Sequence, residues 1–261
     1  MDKISASPPC PTRQAYAELQ QAYDHFNAQL YGGQLPACLI TLQREKRTCG
    51  YFCAKRFSNV HGALADEIAM NPTYFATVPL AETMQTLVHE MCHLWQHHFG
   101  QPGRGRYHNE QWAARMESMG LMPSCTGKPG GKRTGDQMGD YAIEGGPFLA
   151  ACAELLTQDF KISWYDRFPA IEQVRAGQAS MAMQLAAAVG GGSVPAQSIK
   201  GMTDLVLAAA AMDSSPTPQA APQPNKSNRV KYVCPCAKQV WGKPALKLIC
   251  GDCGEGFDLA A

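Results

Sequence analysis

One glutamate flanked by two histidines constrains this chain more than any other feature. The run Thr86-Leu87-Val88-His89-Glu90-Met91-Cys92-His93-Leu94-Trp95 carries the pattern H-E-x-x-H. On an α-helix, residues i and i+4 lie about 40° apart around the axis and about 6 Å along it. Both imidazoles then point to one side and can share one metal ion. Glu90 sits beside them, too close to be a third ligand from the same helix, and is placed to hold a water on that metal, the arrangement of a zinc metallopeptidase. The pattern is short, so its context decides. Pro79 stands where a first helical turn tolerates proline, and Glu82 suits the positive N-terminal end of a helix. Met84, Leu87, Val88, Met91 and Trp95 recur with a helical period, and Gly100 and Pro102 end the segment.

A catalytic zinc takes three protein ligands and keeps one position open. The metzincin continuation, a glycine and then a histidine, is absent, because those positions hold Gln96 and Phe99. His97 lies one turn further on but is rotated by about 80° from His89, a poor match to the same ion. His97 and His98 read as the solvated end of the helix, with favourable dipole contacts. Two glycines and a proline within residues 101–106 then let the chain turn back. A second helix is expected from Asn109 to about Met119, with His108 at its start. His108 and Glu110 are the two candidates for the third ligand.

The rest of the chain is read more coarsely. Residues 11–30 are helical by period. Residues 37–42, 50–52 and 67–70 are strand-like. Residues 124–140, rich in Gly, Lys and Thr, read as a loop. Residues 147–158 suit a short helix or a strand extending the sheet. Residues 170–212 are Ala-rich and interrupted by Gly190-Gly191-Gly192, and residues 213–228 form a Pro/Ser/Gln linker. The expected organisation is a metallopeptidase domain over 11–168, an Ala/Gly-rich segment with linker over 169–228, and a small module over 229–261. The formal net charge is +1, so no global field argues for nucleic acid or membrane. No run of eighteen apolar residues exists, and the N-terminus lacks an apolar signal core, which gives a cytoplasmic expectation. In that compartment the eleven cysteines suggest thiols and metal ligands rather than disulfides. Cys38, Cys49, Cys53, Cys92, Cys125 and Cys152 read as small buried or half-buried residues, and Cys10 lies in a loose N-terminus.

Several motifs together resemble the SprT family of zincin-like proteins, which includes the Spartan proteases. Phe26-Asn27-Ala28-Gln29-Leu30-Tyr31-Gly32-Gly33-Gln34-Leu35-Pro36 is similar to the family's opening helix and turn. Gly50-Tyr51-Phe52 and Asp66-Glu67-Ile68-Ala69-Met70-Asn71 are similar to its strands. His89-Glu90-Met91-Cys92-His93 follows, and Tyr107-His108-Asn109-Glu110-Gln111-Trp112 matches its downstream histidine. The resemblance implies an α+β fold, with helices packed on a small sheet. It implies that His89, His93 and His108 bind zinc and that Glu90 is the general base. The family also often carries a zinc ribbon. Cys234-Pro235-Cys236 and Cys250-Gly251-Asp252-Cys253 are similar to its two knuckles, although the first is one residue short. A structural zinc on Cys234, Cys236, Cys250 and Cys253 would supply stability that so short a tail lacks.

Zinc brings the pKa of a bound water toward neutrality; Glu90 would take its proton and later deliver it to the leaving amine. Tyr107 has the chemistry of a second oxyanion donor, and equally that of an aromatic packed at a helix start. The strand at Glu67–Asn71 is a place where an extended substrate could pair. In the tail, Lys226, Arg229, Lys231, Lys238, Lys243 and Lys247 accompany Tyr232 and Trp241, with no acidic residue between Lys226 and Cys250. Lysines neutralise phosphates and aromatic faces stack on unpaired bases, so Lys231, Lys238, Trp241, Lys243 and Lys247 are the candidate nucleic-acid contacts. The resemblance tilts these toward DNA, single-stranded or duplex, since Spartan proteins digest proteins crosslinked to DNA. The competing reading is a non-proteolytic, zinc-containing nucleic-acid-binding regulator. Glu90 argues against it, because a purely structural site has no use for a carboxylate that activates water.

Overall fold

The computed structural model of the protein describes residues 10–45, 48–158, 160–166 and 229–259. The Ala/Gly-rich segment and the linker expected over 169–228 lie outside these residues, as does Lys226. The described residues fall into two units, one N-terminal to Asp213 and one after Ser214.

The first unit opens with helix α1, Pro11–Tyr31, whose proline occupies the first turn, where the missing N–H costs nothing. Leu19, Ala22, Tyr23 and Phe26, at positions i, i+3, i+4 and i+7, are its buried stripe. Gly32 ends it in the left-handed conformation at φ 61°. Three strands follow: β1 Leu39–Leu42, β2 Gly50–Ser58 and β3 Leu64–Met70. They form one sheet in the order β1-β3-β2, with β1 parallel and β2 antiparallel to β3. Register sets Ile40, Ile68 and Phe52 side by side on one face, and Ile68 belongs to the core. The central place of β3 corrects the expectation that Glu67–Asn71 would pair with a substrate. Both of its edges are already taken, and β1 and β2 are the strands at the rims of the sheet.

Helix α2, Leu80–Phe99, lies against β2 and β3 and buries Met84, Leu87, Val88, Met91 and Leu94. Gly50 permits this approach. A Cβ there would stand 2.9 Å from the Ala69 carbonyl oxygen and 3.3 Å from Glu90 Cγ. Helix α3, Glu110–Ser118, begins on Asn109, whose side chain accepts from the Trp112 N–H at 3.1 Å. Two short strands, β4 Leu121–Ser124 and β5 Gly139–Ala142, pair antiparallel and bracket the Gly-rich loop. Residues 147–158 settle as helix α4, Pro147–Thr157, with Phe148 stacked on Phe26 of α1 at 6.0 Å. Arg115 of α3 lies over the rings of Tyr31 and Trp95, 5.0 Å from each, tying α1, α2 and α3 together. Cys92 and Cys152 are buried and Cys38, Cys49 and Cys53 half-buried as expected, whereas Cys125 is exposed.

The second unit is a small sheet of β6 Val230–Val233, β7 Gln239–Gly242 and β8 Asp258–Leu259, ordered β7-β6-β8. Its buried residues are Tyr232, Cys234 and Cys250. The Tyr232 hydroxyl donates to the Lys243 carbonyl at 2.7 Å and accepts from the Leu246 N–H at 3.0 Å. Among the described residues no helix is long and apolar enough to cross a membrane.

Candidate metal centre

His89 and His93 stand one turn apart on α2, and the chain returns His108 to them at the head of α3. One donor atom from each lies within 4.8 Å of the others. His93 Nε2 and His108 Nε2 are 3.0 Å apart, and the ring centroids are separated by 4.7–5.4 Å. Glu110, the other candidate, points elsewhere and pairs with Arg133 at 2.5 Å, its side chain 71% exposed. His108 is held from two directions. Its N–H and C=O exchange hydrogen bonds with Gly135, and the Gly135 carbonyl also accepts from its ring Nδ1 at 3.0 Å. Asn109 accepts from Gln96 of α2 at 2.7 Å, which fixes the start of α3 against the helix that carries the other two histidines.

Asp140 had no signal in the sequence, and Trp112 stood there only as the last residue of a family motif. Asp140 of β5 accepts from His89 Nδ1 at 2.8 Å, with side chains 12% and 5% exposed for His89 and Asp140. Such a carboxylate fixes the ring orientation and leaves Nε2 as the donor to a metal. Trp112 of α3, fully buried, lies 4.5–5.3 Å from all three imidazoles and stacks on His93. The loop over 124–140 is therefore more than a solvated connection. It supplies Gly135 and leads into Asp140, and residues 125–129 and 136–139 line the groove in front of the histidines.

The electrostatics suit a metal. Burial, and then the neighbouring imidazoles, hold His93 well below the ordinary histidine pKa. Burial and His89 bring His108 down to about 4, against a smaller opposing effect of the Gly135 carbonyl. Both rings are thus neutral at pH 7 and present lone pairs, as metal ligands must. Three convergent imidazoles, two with Nδ1 engaged outside the cluster, are a donor set that would fit zinc. Glu90 lines the same groove and is 6% exposed. Burial pushes its carboxyl up to about 7, Asp140 adds to the rise, and His89 and the Phe52 N–H pull the other way. Tyr107 is an exposed groove residue rather than a packed aromatic. The groove has a volume of about 1800 Å³.

The helix end is solvated at His98 and Phe99 as expected, but His97 and His98 also have partners on the sheet. His98 Nε2 is 2.6 Å from Asp66 Oδ2, and His97 lies against Phe52, ring centroids 5.9 Å apart. The rotation that removes His97 from the first cluster carries it toward the sheet.

In the second unit the four cysteines come together. Cys234 Sγ is 3.2 Å from Cys253 Sγ and 3.3 Å from Cys236 Sγ, and Cys236 Sγ is 3.6 Å from Cys250 Sγ. Four thiolates at about 2.3 Å from one zinc would stand at comparable separations. The short first knuckle closes one residue earlier than the second. The Cys234 carbonyl accepts from the Ala237 N–H at 2.8 Å, whereas the Cys250 carbonyl accepts from the Gly254 N–H at 2.9 Å. The tighter turn puts Ala237 at φ 65°, where the second knuckle has glycine at φ 76°. The Cys253 N–H, and after it the neighbouring thiols, hold Cys250 below the ordinary thiol pKa, while burial pushes Cys234 up. Of the basic residues, Lys231 is directly opposite Trp241 across β6 and β7, so the two share a face, and Trp241 is 63% exposed. Lys243 and Lys247 are exposed nearby in sequence. Lys238 contacts Asp252, so its charge is partly matched.

The helix, the returning histidine and the groove belong to an α+β domain of helices and small sheets. The profile of the SprT-like family matches residues 19–129. An uncharacterized protein in the mucB 3' region of Salmonella typhimurium is 58% identical over 59 residues, covering 22% of this chain and 80% of that protein. No solved structure matches. The chain belongs to the SprT-like family, a family of zincin-like metallopeptidases.

Proposed function

We propose that the protein is a zinc-dependent endopeptidase that cleaves DNA-associated or DNA-crosslinked proteins. The observation that carries this reading is the convergence of His89, His93 and His108 on one point, with Glu90 beside them in an open groove. When bound there, zinc supplies a water that ionises near neutral pH and a Lewis acid for the scissile carbonyl. Glu90 accepts the proton of the attacking water and passes it to the departing amine. The Phe52 N–H keeps its carboxylate in place. Asp140 and Gly135 orient the imidazoles of His89 and His108. Residues 50–54 of β2 line the groove, so an extended substrate pairs with the rim of this strand rather than with β3. Recognition through the substrate's main chain leaves side-chain specificity loose, and Tyr107, which lines the groove, is the candidate donor to the oxyanion.

Loose specificity calls for another means of targeting. Residues 229–261 serve as that means, with a structural zinc held by Cys234, Cys236, Cys250 and Cys253. Trp241 offers a stacking face to unpaired bases beside Lys231, and Lys243 and Lys247 add charge for phosphates. The test compares the full chain with a truncation lacking residues 229–261, using a protein crosslinked to single-stranded or duplex DNA. Zinc-dependent cleavage by the full chain, stimulated by DNA and weaker in the truncation, is expected. Stimulation should fall as salt rises. Equal DNA stimulation of both proteins would move the DNA contact out of the tail, and no cleavage by either would refute the peptidase reading.

A further inference from the structure

The cluster of Asp66, His97 and His98 lies outside the machinery described above. Asp66 is on β3 and is 6% exposed. Its Oδ1 accepts from the Lys55 N–H at 2.6 Å. That N–H is aimed by an irregularity in β2 between Cys53 and Phe57, where Lys55 adopts φ 51°. Bulges of this kind re-aim groups beside functional sites. The carboxylate is thereby fixed with Oδ2 toward the end of α2, where His98 Nε2 meets it at 2.6 Å. His97 completes the group, since one donor atom from each of the three residues lies within 4.8 Å of the others.

A simple hydrogen bond that pins the helix end accounts for Asp66 and His98. It does not account for His97, whose ring is 4.9 Å from that of His98 and has a donor in the same small space. We infer that Asp66, His97 and His98 form a second transition-metal site, which takes zinc, cobalt(II) or nickel(II) and clasps the last turn of α2 to the β2–β3 pair. Two imidazoles and one carboxylate are the donor set of these borderline ions, whereas magnesium and calcium prefer oxygen alone. The hydrogen bond from Lys55 to the carboxylate is the outer-shell support such a ligand needs. The group shares no ligand with the three-histidine centre, so the two sites would fill independently. The His98 side chain is 34% exposed, so this ion exchanges with solvent more readily than one at the three-histidine centre.

Equilibrium dialysis of the full chain against buffered free zinc tests the site, with zinc content read by elemental analysis. Wild type should bind one equivalent more, at higher free zinc, than a His97→Ala/His98→Ala variant. His98→Gln keeps a hydrogen-bond donor for Asp66 and should keep the fold by circular dichroism, yet lose the same equivalent. His93→Ala should retain this weaker equivalent while losing a tighter one. Wild type should also melt at a higher temperature once the weaker site fills, and His98→Gln should not. Equal stoichiometry in wild type and His98→Gln at every free zinc concentration would overturn the inference. So would loss of the weaker equivalent in His93→Ala, which would place that ion at the three-histidine centre. Failure of the proposed peptidase centre shows separately, as the absence of a tighter equivalent sensitive to His93→Ala.

Discussion

Replacing Asp140 with alanine should weaken zinc binding at the three-histidine centre by about 10–100-fold, the usual cost of removing an outer-shell partner. The structure isolates this effect. The 2.8 Å bond from His89 Nδ1 to Asp140 Oδ2 lies between side chains only 12% and 5% exposed, so water cannot readily replace the carboxylate. The backbone at Asp140 has its own supports. Its carbonyl accepts from Gln85 Nε2 at 2.9 Å, and β5 stays paired with β4. The substitution therefore leaves a buried ring N–H without its acceptor, a loss of about 1–3 kcal/mol. That range agrees with the 1.4–2.8 kcal/mol to which about 10–100-fold in affinity corresponds. Asp140→Asn retains an oxygen acceptor without the charge and should fall between wild type and Asp140→Ala. Competition with a chromophoric chelator, with the thiolate cluster already loaded, reads the affinity. An unchanged value in Asp140→Ala would refute the argument and leave ring orientation to Trp112 alone.

Two further outcomes follow from the same geometry. His93 and His108 are held neutral by burial, below their unfolded pKa of about 6.5. At these two sites the unfolded chain then binds more protons, so they cost the metal-free domain stability as pH falls from about 6.5 toward 4, a loss that the raised Glu90 carboxyl opposes in part. Urea denaturation across that window should show the loss, and His108→Asn should reduce it; an identical pH dependence in the variant would contradict the assignment. In the tail, Ala237→Gly relieves a left-handed alanine whose conformation costs about 1 kcal/mol. Zinc should then bind the four cysteines a few-fold more tightly, and weaker binding would mean that the short knuckle opens when metal is present.

Much of the site was legible because it rests on local periodicity. The H-E-x-x-H spacing, the apolar stripe of α2 and the turn after Gly100 together specify a helix and the return of a histidine. Gly50 was legible only as part of a family motif, and its reason, the lack of room for a Cβ between Ala69 of β3 and the side chains of α2, is a tertiary one. Asp140 was hidden. It lies 51 residues from its histidine, in a run whose glycines and lysines read as loop. Four-residue strands such as β4, which contains Pro123, give too little alternation to detect. Whether Glu67–Asn71 was an edge or a centre could not be read from its composition, because strand order depends on pairings between distant segments. The partners of His97 and His98 were hidden for the same reason. A helical wheel shows that they leave the first site, but not that Asp66 waits across the sheet.

The central claim is that Glu90 drives hydrolysis at a zinc held by His89, His93 and His108. Its most direct test measures zinc content and cleavage together in Glu90→Gln. The side chain has nearly the same shape, and the carboxylate makes no contribution to the three-histidine cluster. The account predicts that the variant binds as much zinc as wild type and unfolds at the same temperature or slightly higher, since it no longer buries an ionisable group. Cleavage of a DNA-bound protein, followed by mass spectrometry of the fragments, should fall by about two to four orders of magnitude, the typical contribution of a general base. Undiminished cleavage by the zinc-loaded variant would contradict the account.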